Sequence, residues 1–478
     1  MRVERLLIDT ETPISIFLKL KASGFQPLYL LESAEEPEKW GRYSFLGFGE
    51  PKVKIKYFID EKEIEERDKE REKEDKEREK ENEKSKKNKK KFLDILEEEL
   101  NKIKIKHSEF LQGFKKESGI QRVPFGLVGF IGYDLFSEFD KVNTIKGKVS
   151  LGIPDSVLVF TPNIIIFDNL KRDIILLSED VSMAEIKKVL KKSVDPSTKK
   201  FKVKRIHDKV KKEEFEDIVK KGIQRIYMGD VIQVVLSRQK EIEIKGKIDE
   251  FSLYRILRIK NPSPYMYFAD FDDIKIVGTS PEILVRVENG VATTLPIAGT
   301  RKRGETEEED KKLEEELLSD EKELAEHVML VDLARNDIGK ASYPGTVKVK
   351  KFAYIKKLSR VMHIVSEVEG KIKETPLEVL RSCFPAGTVV GAPKIEAAKI
   401  ISELEKERRG PYAGAIGYFS ADNNMDTAIL IRTAFIYENK IKIQAGAGIV
   451  FYSIPEREYF ETEHKLKALE ESINVLAE

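Results

Sequence analysis

Tight two-residue turns recur through the second half of this chain, and they restrict it to folds built on antiparallel strands. Asn289-Gly290 separates the apolar runs 283–287 and 291–295. Asn and Gly both accept the left-handed backbone that a two-residue hairpin turn demands. Asp272-Asp273 separates 265–271 from 274–277, and Glu438-Asn439 separates 428–437 from 440–444. Parallel strands cannot be joined so briefly. Between the hairpins, helical periodicity marks 214–228, 307–334, 376–383, 395–406 and 455–473. Strand-like runs at 27–31, 157–160 and 164–167 carry the pattern into the first half. Clustered strands with intervening helices, and no regular alternation of the two, predict an α+β protein. The Lys-rich stretch 194–204 predicts a boundary there, dividing the chain into 1–205 and 206–478.

The chain has 478 residues, enough for two or three domains and a large core. Its 86 Lys+Arg and 85 Asp+Glu leave a net charge of +1, so no global field recruits nucleic acid. No apolar run approaches the roughly 18 residues of a membrane span, and the first residues lack the apolar core of a secretion signal. The single cysteine, Cys383, excludes an internal disulfide and suits a reducing cytoplasm. It has no adjacent His or Gly elbow and reads as a buried structural thiol.

Residues 60–91 hold 14 acidic and 14 basic side chains and almost nothing apolar. Such a stretch cannot contribute to a core. It reads as a surface insertion, either a solvated helix with i,i+4 ion pairs or a mobile segment. The basic cluster 84–91 is read as solvent-facing rather than as a nucleic-acid site.

Several residues carry chemistry. Glu323 and Glu326, and again Glu458 and Glu461, stand three apart, so each pair shares one face of its helix. Four carboxylates on two helices can hold a hard cation such as Mg²⁺ through oxygen alone. In a chain with 85 Asp+Glu the spacing also arises by chance, and Asp320 with Glu323 has the pattern of a helix cap. Arg432 lies in an apolar run, where its charge requires an anion. His363 lies in another, where a satisfied core histidine is the commoner reading. Gly446 and Gly448 offer main-chain groups to a carboxylate or mark a bulge. The stretch Gly387 to Lys394 fails the spacing of a P-loop.

From 213 to 473 the chain resembles the chorismate-utilising enzymes. The resemblance rests on eight blocks in one order: Gly229–Ser237, Ser280-Pro-Glu282, Pro296–Arg301, Glu326–Asp337, Val361-Met-His363, Phe384–Thr388, Gly414–Gly417 and Glu461-Thr462. It implies a two-lobed fold of antiparallel sheets packed face to face with helices outside. It implies Mg²⁺ on Glu326 and Glu461, with Glu323 and Glu458 nearby, binding the ring carboxylate of chorismate. Tyr412, Arg432, Gly446, Gly448 and Lys465 would hold the substrate, and Glu282 would protonate the departing C4 hydroxyl. His363 would serve the later proton transfer, and Thr300 and Gln233, from two other blocks, would complete the catalytic set.

Three reactions occur in that family. Isochorismate-forming members carry a lysine base where this chain has Gln233, and an amide cannot deprotonate water. Aminodeoxychorismate-forming members carry a nucleophilic lysine where this chain has Ala298. What remains is addition of ammonia at C2 and loss of pyruvate, giving anthranilate. The runner-up is the aminodeoxychorismate reaction; a tryptophan-sensing subunit without catalysis is the reading from another class. Leu30–Ser33, with the block around Arg42, and Asn261–Met266 are similar to the tryptophan-binding walls of the anthranilate-forming members. Glu32, Ser33, Arg42, Asn261, Pro264, Tyr265 and Met266 are the expected effector contacts, within an N-terminal regulatory region. No glutaminase nucleophile is present, so ammonia is expected from a separate glutamine amidotransferase subunit in a hetero-oligomer.

Overall fold

The computed structural model describes residues 2–8, 10–35, 41–59, 63–68, 91–140, 142–144, 152–358 and 361–477. Two sheets dominate, one of twelve strands and one of eleven. Every paired strand in both sheets runs antiparallel to its neighbour, as the short turns require. The Asn289-Gly290 turn takes positive φ at both residues, 50° and 79°, between strands Ile283–Glu288 and Val291–Thr294.

Alternation along the strands explains the layering. In Ile164–Asp168, Ile164 and Ile166 enter the core between the sheets, whereas Ile165 and Phe167 enter the core under the helices. Ile175 and Leu177 face the first core and Ile174 and Leu176 the second. Successive side chains of a strand point to opposite faces, so these strands need apolar cover on both sides. The second sheet covers one side. Helices Pro13–Ala22, Met183–Leu190, Glu250–Lys260 and Pro455–Leu476 cover the other. Each fully buried isoleucine contributes roughly 1.5–3 kcal/mol.

Three sequence expectations change. The run 307–334 is two helices, Glu307–Ser319 and Glu321–Lys340, because Asp320 takes an extended backbone and its carboxylate accepts the main-chain N–H of Lys322 and Glu323 at 3.1 and 3.2 Å. The run 428–437 is also broken. Met425–Ile429 belongs to the second sheet and Thr433–Tyr437 to the first, with Arg432 at φ 54° in the crossing. In the charged tract, Glu63–Asp68 is neither helix nor unpaired: it forms an edge strand beside Val53–Phe58, with Glu65 opposite Lys56 and Glu66 opposite Ile55. Residues 60–62 and 69–90 of the tract, and with them most of the basic cluster, lie outside the described residues.

Both sheets take strands from either side of residue 205, so the two portions of chain share layers. Strand Pro27–Glu32 pairs with Tyr265–Asp270 across that boundary. Among the described residues no helix is long and apolar enough to cross a membrane.

Candidate active site

Two crossings between the sheets build one wall of a cavity rich in titratable groups. Strand Lys275–Ser280 lies in the first sheet and Ile283–Glu288 in the second. Pro281-Glu282 connects them, so Glu282 projects where the sheets diverge. Leu430–Arg432 makes the return crossing beside it. The cavity between them is about 300 Å³, the size of a small-ligand site. Gln233, Glu282, Ala298, Thr300, Glu326, His363, Tyr412, Arg432, Gly446, Gly448, Glu461 and Lys465 all line it. These residues come from nearly the whole second half of the chain. Glu323 and Glu458 do not line it.

Burial pushes the Glu282 carboxyl up to about 7, against smaller opposing effects of Thr388 and Lys465. A group so poised can donate a proton at neutral pH. His363 sits on strand Val361–Lys371, and burial holds its imidazole below the usual histidine range, with Arg432 and Lys356 adding to the effect. Its Nδ1 lies 2.9 Å from the Gly299 carbonyl and 3.1 Å from the Thr300 hydroxyl. Gly299 is held at φ 62° within an irregularity between Ala298 and Arg301, and a Cβ there would stand 3.0 Å from Leu317. That conformation costs other residues strain, and it aims the carbonyl at His363.

Cationic groups gather around Arg432. The Arg432 guanidinium donates to the Lys465 carbonyl at 3.2 Å, and burial lowers its pKa. Lys465 Nζ donates to the Gly446 carbonyl at 2.8 Å and to Glu461 at 2.6 Å. A buried guanidinium with no carboxylate in its own hydrogen bonds calls for an anionic ligand.

The four carboxylates divide unequally. Glu326, on helix Glu321–Lys340, is raised by burial and by its neighbours Glu323 and Glu461, while Gln233 donates to it at 3.3 Å. Glu458 is likewise raised by burial and by Glu461, and lies near Lys322 and Ser453. Glu323 is tied to Arg301 at 3.4 Å. Among the described residues no three His, Cys or carboxylate side chains form a ready cage for a metal ion. Mg²⁺ needs no such cage, because it commonly takes one or two carboxylates and fills its shell with water and ligand oxygens. Like charges crowded around the half-buried Glu326 are the arrangement that such a cation relieves.

A smaller cavity of about 80 Å³ adjoins, sharing Pro264, Pro281, Ile297 and Lys356 with the first. Glu32, Ser33, Pro264, Tyr265 and Met266 line it, along with the buried pair Arg286–Asp426 at 2.6 Å. Tyr254 and Arg258 already hold the Glu32 carboxylate at 2.6–3.0 Å. Arg42 instead pairs with Asp168 at 2.9 Å, and Asn261 donates to Thr279 at 2.9 Å; neither lines the cavity. Cys383 is buried with its thiol pushed up to about 12, which leaves it unreactive. Lys356, Gln444 and the Arg286–Asp426 pair were not singled out from sequence. Only Gln444 had a local cue, its place two residues before Gly446.

A family profile described as chorismate binding enzyme matches residues 51–471. A curated relative from Aquifex aeolicus, named anthranilate synthase component 1, is 47% identical over 99% of this chain and 94% of its own length. The crystal structure of anthranilate synthase component I from Streptococcus pneumoniae superimposes with a TM-score of 0.73 at 34% identity, covering 98% of this chain and all of that one. A menaquinone-specific isochorismate synthase from Escherichia coli shares the fold, with a TM-score of 0.69 at 18% identity over 99% of this chain and 94% of its own.

Proposed function

The chain belongs to the chorismate-binding enzymes, and from that premise we propose that it is an anthranilate synthase component I, a lyase of tryptophan biosynthesis. One observation carries the choice of reaction. The two positions that would hold a lysine for the competing chemistries, Gln233 and Ala298, both line the cavity and neither supplies a base or a nucleophile.

Arg432 and Tyr412, with the main chain at Gly446 and Gly448 and the ammonium of Lys465, hold the enolpyruvyl carboxylate of chorismate. The ring carboxylate lies toward Glu326 and Glu461. When bound there, Mg²⁺ neutralises that carboxylate and the two glutamates, with Glu323 and Glu458 as outer neighbours. Glu282 protonates the C4 hydroxyl, which leaves as water while ammonia adds at C2. Hydroxide is a poor leaving group, so the raised carboxyl answers a chemical need. Nε2 of His363, with its ring held by Gly299 and Thr300, then takes the C2 proton as the side chain departs as pyruvate.

Ammonia comes from glutamine through a separate amidotransferase subunit, consistent with the inert Cys383. Residues 1–205 form the regulatory portion, which with Pro264, Tyr265 and Met266 receives tryptophan in the smaller cavity. The shared wall of Pro264, Pro281, Ile297 and Lys356 lets an occupant of one cavity bias the other.

The test is incubation of the protein with chorismate, Mg²⁺ and ammonium, followed by anthranilate fluorescence. Formation of isochorismate or 4-amino-4-deoxychorismate instead would overturn the assignment. Absence of any turnover, with tryptophan still bound, would support a purely regulatory subunit.

A further inference from the structure

A third cavity, of about 40 Å³, lies behind Glu282. It shares Glu282, Thr388 and Leu330 with the substrate cavity, so Glu282 stands in the wall between the two. Its far side carries Asp337 and Cys383. The space exceeds the roughly 10–15 Å³ that one water needs. Two buried polar atoms of its lining, Oδ1 of Asp337 and Oγ1 of Thr388, have no hydrogen-bond partner within the protein. A buried polar atom left unpaired is costly, and an internal water is its usual remedy.

Asp337 is also connected outward. Its Oδ2 accepts from Lys394 Nζ at 2.6 Å, which fixes the carboxylate. Its Oδ1 lies 3.8 Å from Nζ of Lys340, a side chain 51% exposed. Lys340, Asp337, the small cavity and Glu282 therefore form a series from solvent to the substrate cavity.

We propose that water in this cavity carries a proton from Asp337 to Glu282 in each catalytic cycle, recharging the acid from the side opposite the substrate. The proposal rests on the assignment of Glu282 as the acid. Glu282 loses its proton to the C4 oxygen, and the C4–O bond breaks to release water. The added amine loses its extra proton to solvent through the front of the site. Asp337 protonates the cavity water as that water protonates Glu282, and Asp337 is refilled from solvent beside Lys340. No electrons change hands, and one proton enters for each that leaves.

The charges on both groups agree with this direction. Glu282 faces Lys465 and Thr388, and burial dominates. Asp337 faces Lys394, Lys340, Asp140 and the Cys383 thiol, and burial raises it above the usual carboxylate range.

Asp337→Asn keeps an acceptor for Lys394 and removes the proton. Chorismate loss with ammonium is followed in a single turnover with enzyme in excess, and then in steady state. The first turnover starts from protonated Glu282, so its rate stays within about twofold of the parent, while steady-state kcat falls at least about tenfold with KM unchanged. The solvent deuterium isotope effect on kcat rises. Ala334→Leu, which fills the small cavity from a residue that does not line the substrate cavity and leaves the Asp337–Lys394 pair intact, shows the same split and carries the test if Asp337→Asn fails to fold. Equal slowing of first and later turnovers, or no slowing of either, would overturn the relay. Glu282→Gln run alongside separates the two ideas: undiminished first turnover in that variant overturns the acid assignment itself.

Discussion

Nδ1 of His363 donates to the main-chain oxygen of Gly299 at 2.9 Å. A carbonyl oxygen only accepts, so Nδ1 carries the hydrogen and the neutral ring presents a bare Nε2. The lowered pKa keeps the ring neutral, which is the state a base requires. Neutral His363 favours the folded state above its usual value near 6.5, and this contribution is lost as pH falls through the lower folded value.

Replacing that base should separate the two halves of the reaction. His363→Ala should slow pyruvate release by about 10²–10⁴-fold and leave amination running, so the aminated intermediate accumulates. Chromatography of quenched reactions checks this. Loss of chorismate consumption in parallel with anthranilate formation would assign His363 to the first step instead.

Glu282 sets the alkaline side of the pH profile. Its carboxyl is raised to about 7 by burial, and the acid must be protonated, so kcat at fixed free ammonia should fall as pH rises through 7. The protonated form also favours the folded state. That contribution is full below the unfolded value near 4.5 and disappears as pH rises through 7. A profile flat to pH 9 would remove Glu282 as the acid.

Glu326→Gln should weaken metal binding without unfolding the chain. Mg²⁺ affinity by calorimetry should fall by about tenfold or more, with the circular dichroism spectrum unchanged. Glu323→Gln should have a smaller effect, since Arg301 already holds that carboxylate. Equal losses at the two positions would contradict this ordering.

Ser33 lines the smaller cavity. A single hydrogen bond is worth about 1 kcal/mol, so Ser33→Ala should raise the tryptophan concentration for half-inhibition about fivefold. Unchanged inhibition would place the effector elsewhere.

Arg286 pairs with Asp426 at 2.6 Å and Tyr265 donates to the same carboxylate at 2.8 Å. Arg286→Leu leaves a buried carboxylate uncompensated and should destabilise the chain by about 3–5 kcal/mol. Denaturant unfolding measures it, and Arg286→Leu/Asp426→Leu should recover part of the loss.

Much of the fold was legible because its signals are local. Asn289-Gly290 demands positive φ wherever it stands, and the unbroken apolar run Ile164–Phe167 requires cover on both faces. Where the reading failed, a long-range choice overrode a local pattern. The apolar run around Arg432 looks like one strand, yet the chain crosses there from one sheet to the other. Asp320 divided what periodicity presents as one helix. The edge strand Glu63–Asp68 has strongly charged side chains and is held by a neighbouring strand rather than by its own composition.

The residues themselves determined the chemistry on offer: carboxylates, one histidine, an arginine in apolar surroundings, and two positions without lysine. Their block order determined the family. Only the tertiary structure decided which of these groups share a cavity. It placed Glu282 at a sheet crossing with a second chamber behind it, and separated Glu326 and Glu461 from Glu323 and Glu458. It also withdrew Arg42 and Asn261 from the effector cavity. The physical reason is that burial and the neighbours' charges set a carboxyl's pKa and its partners, and neither exists until distant segments meet.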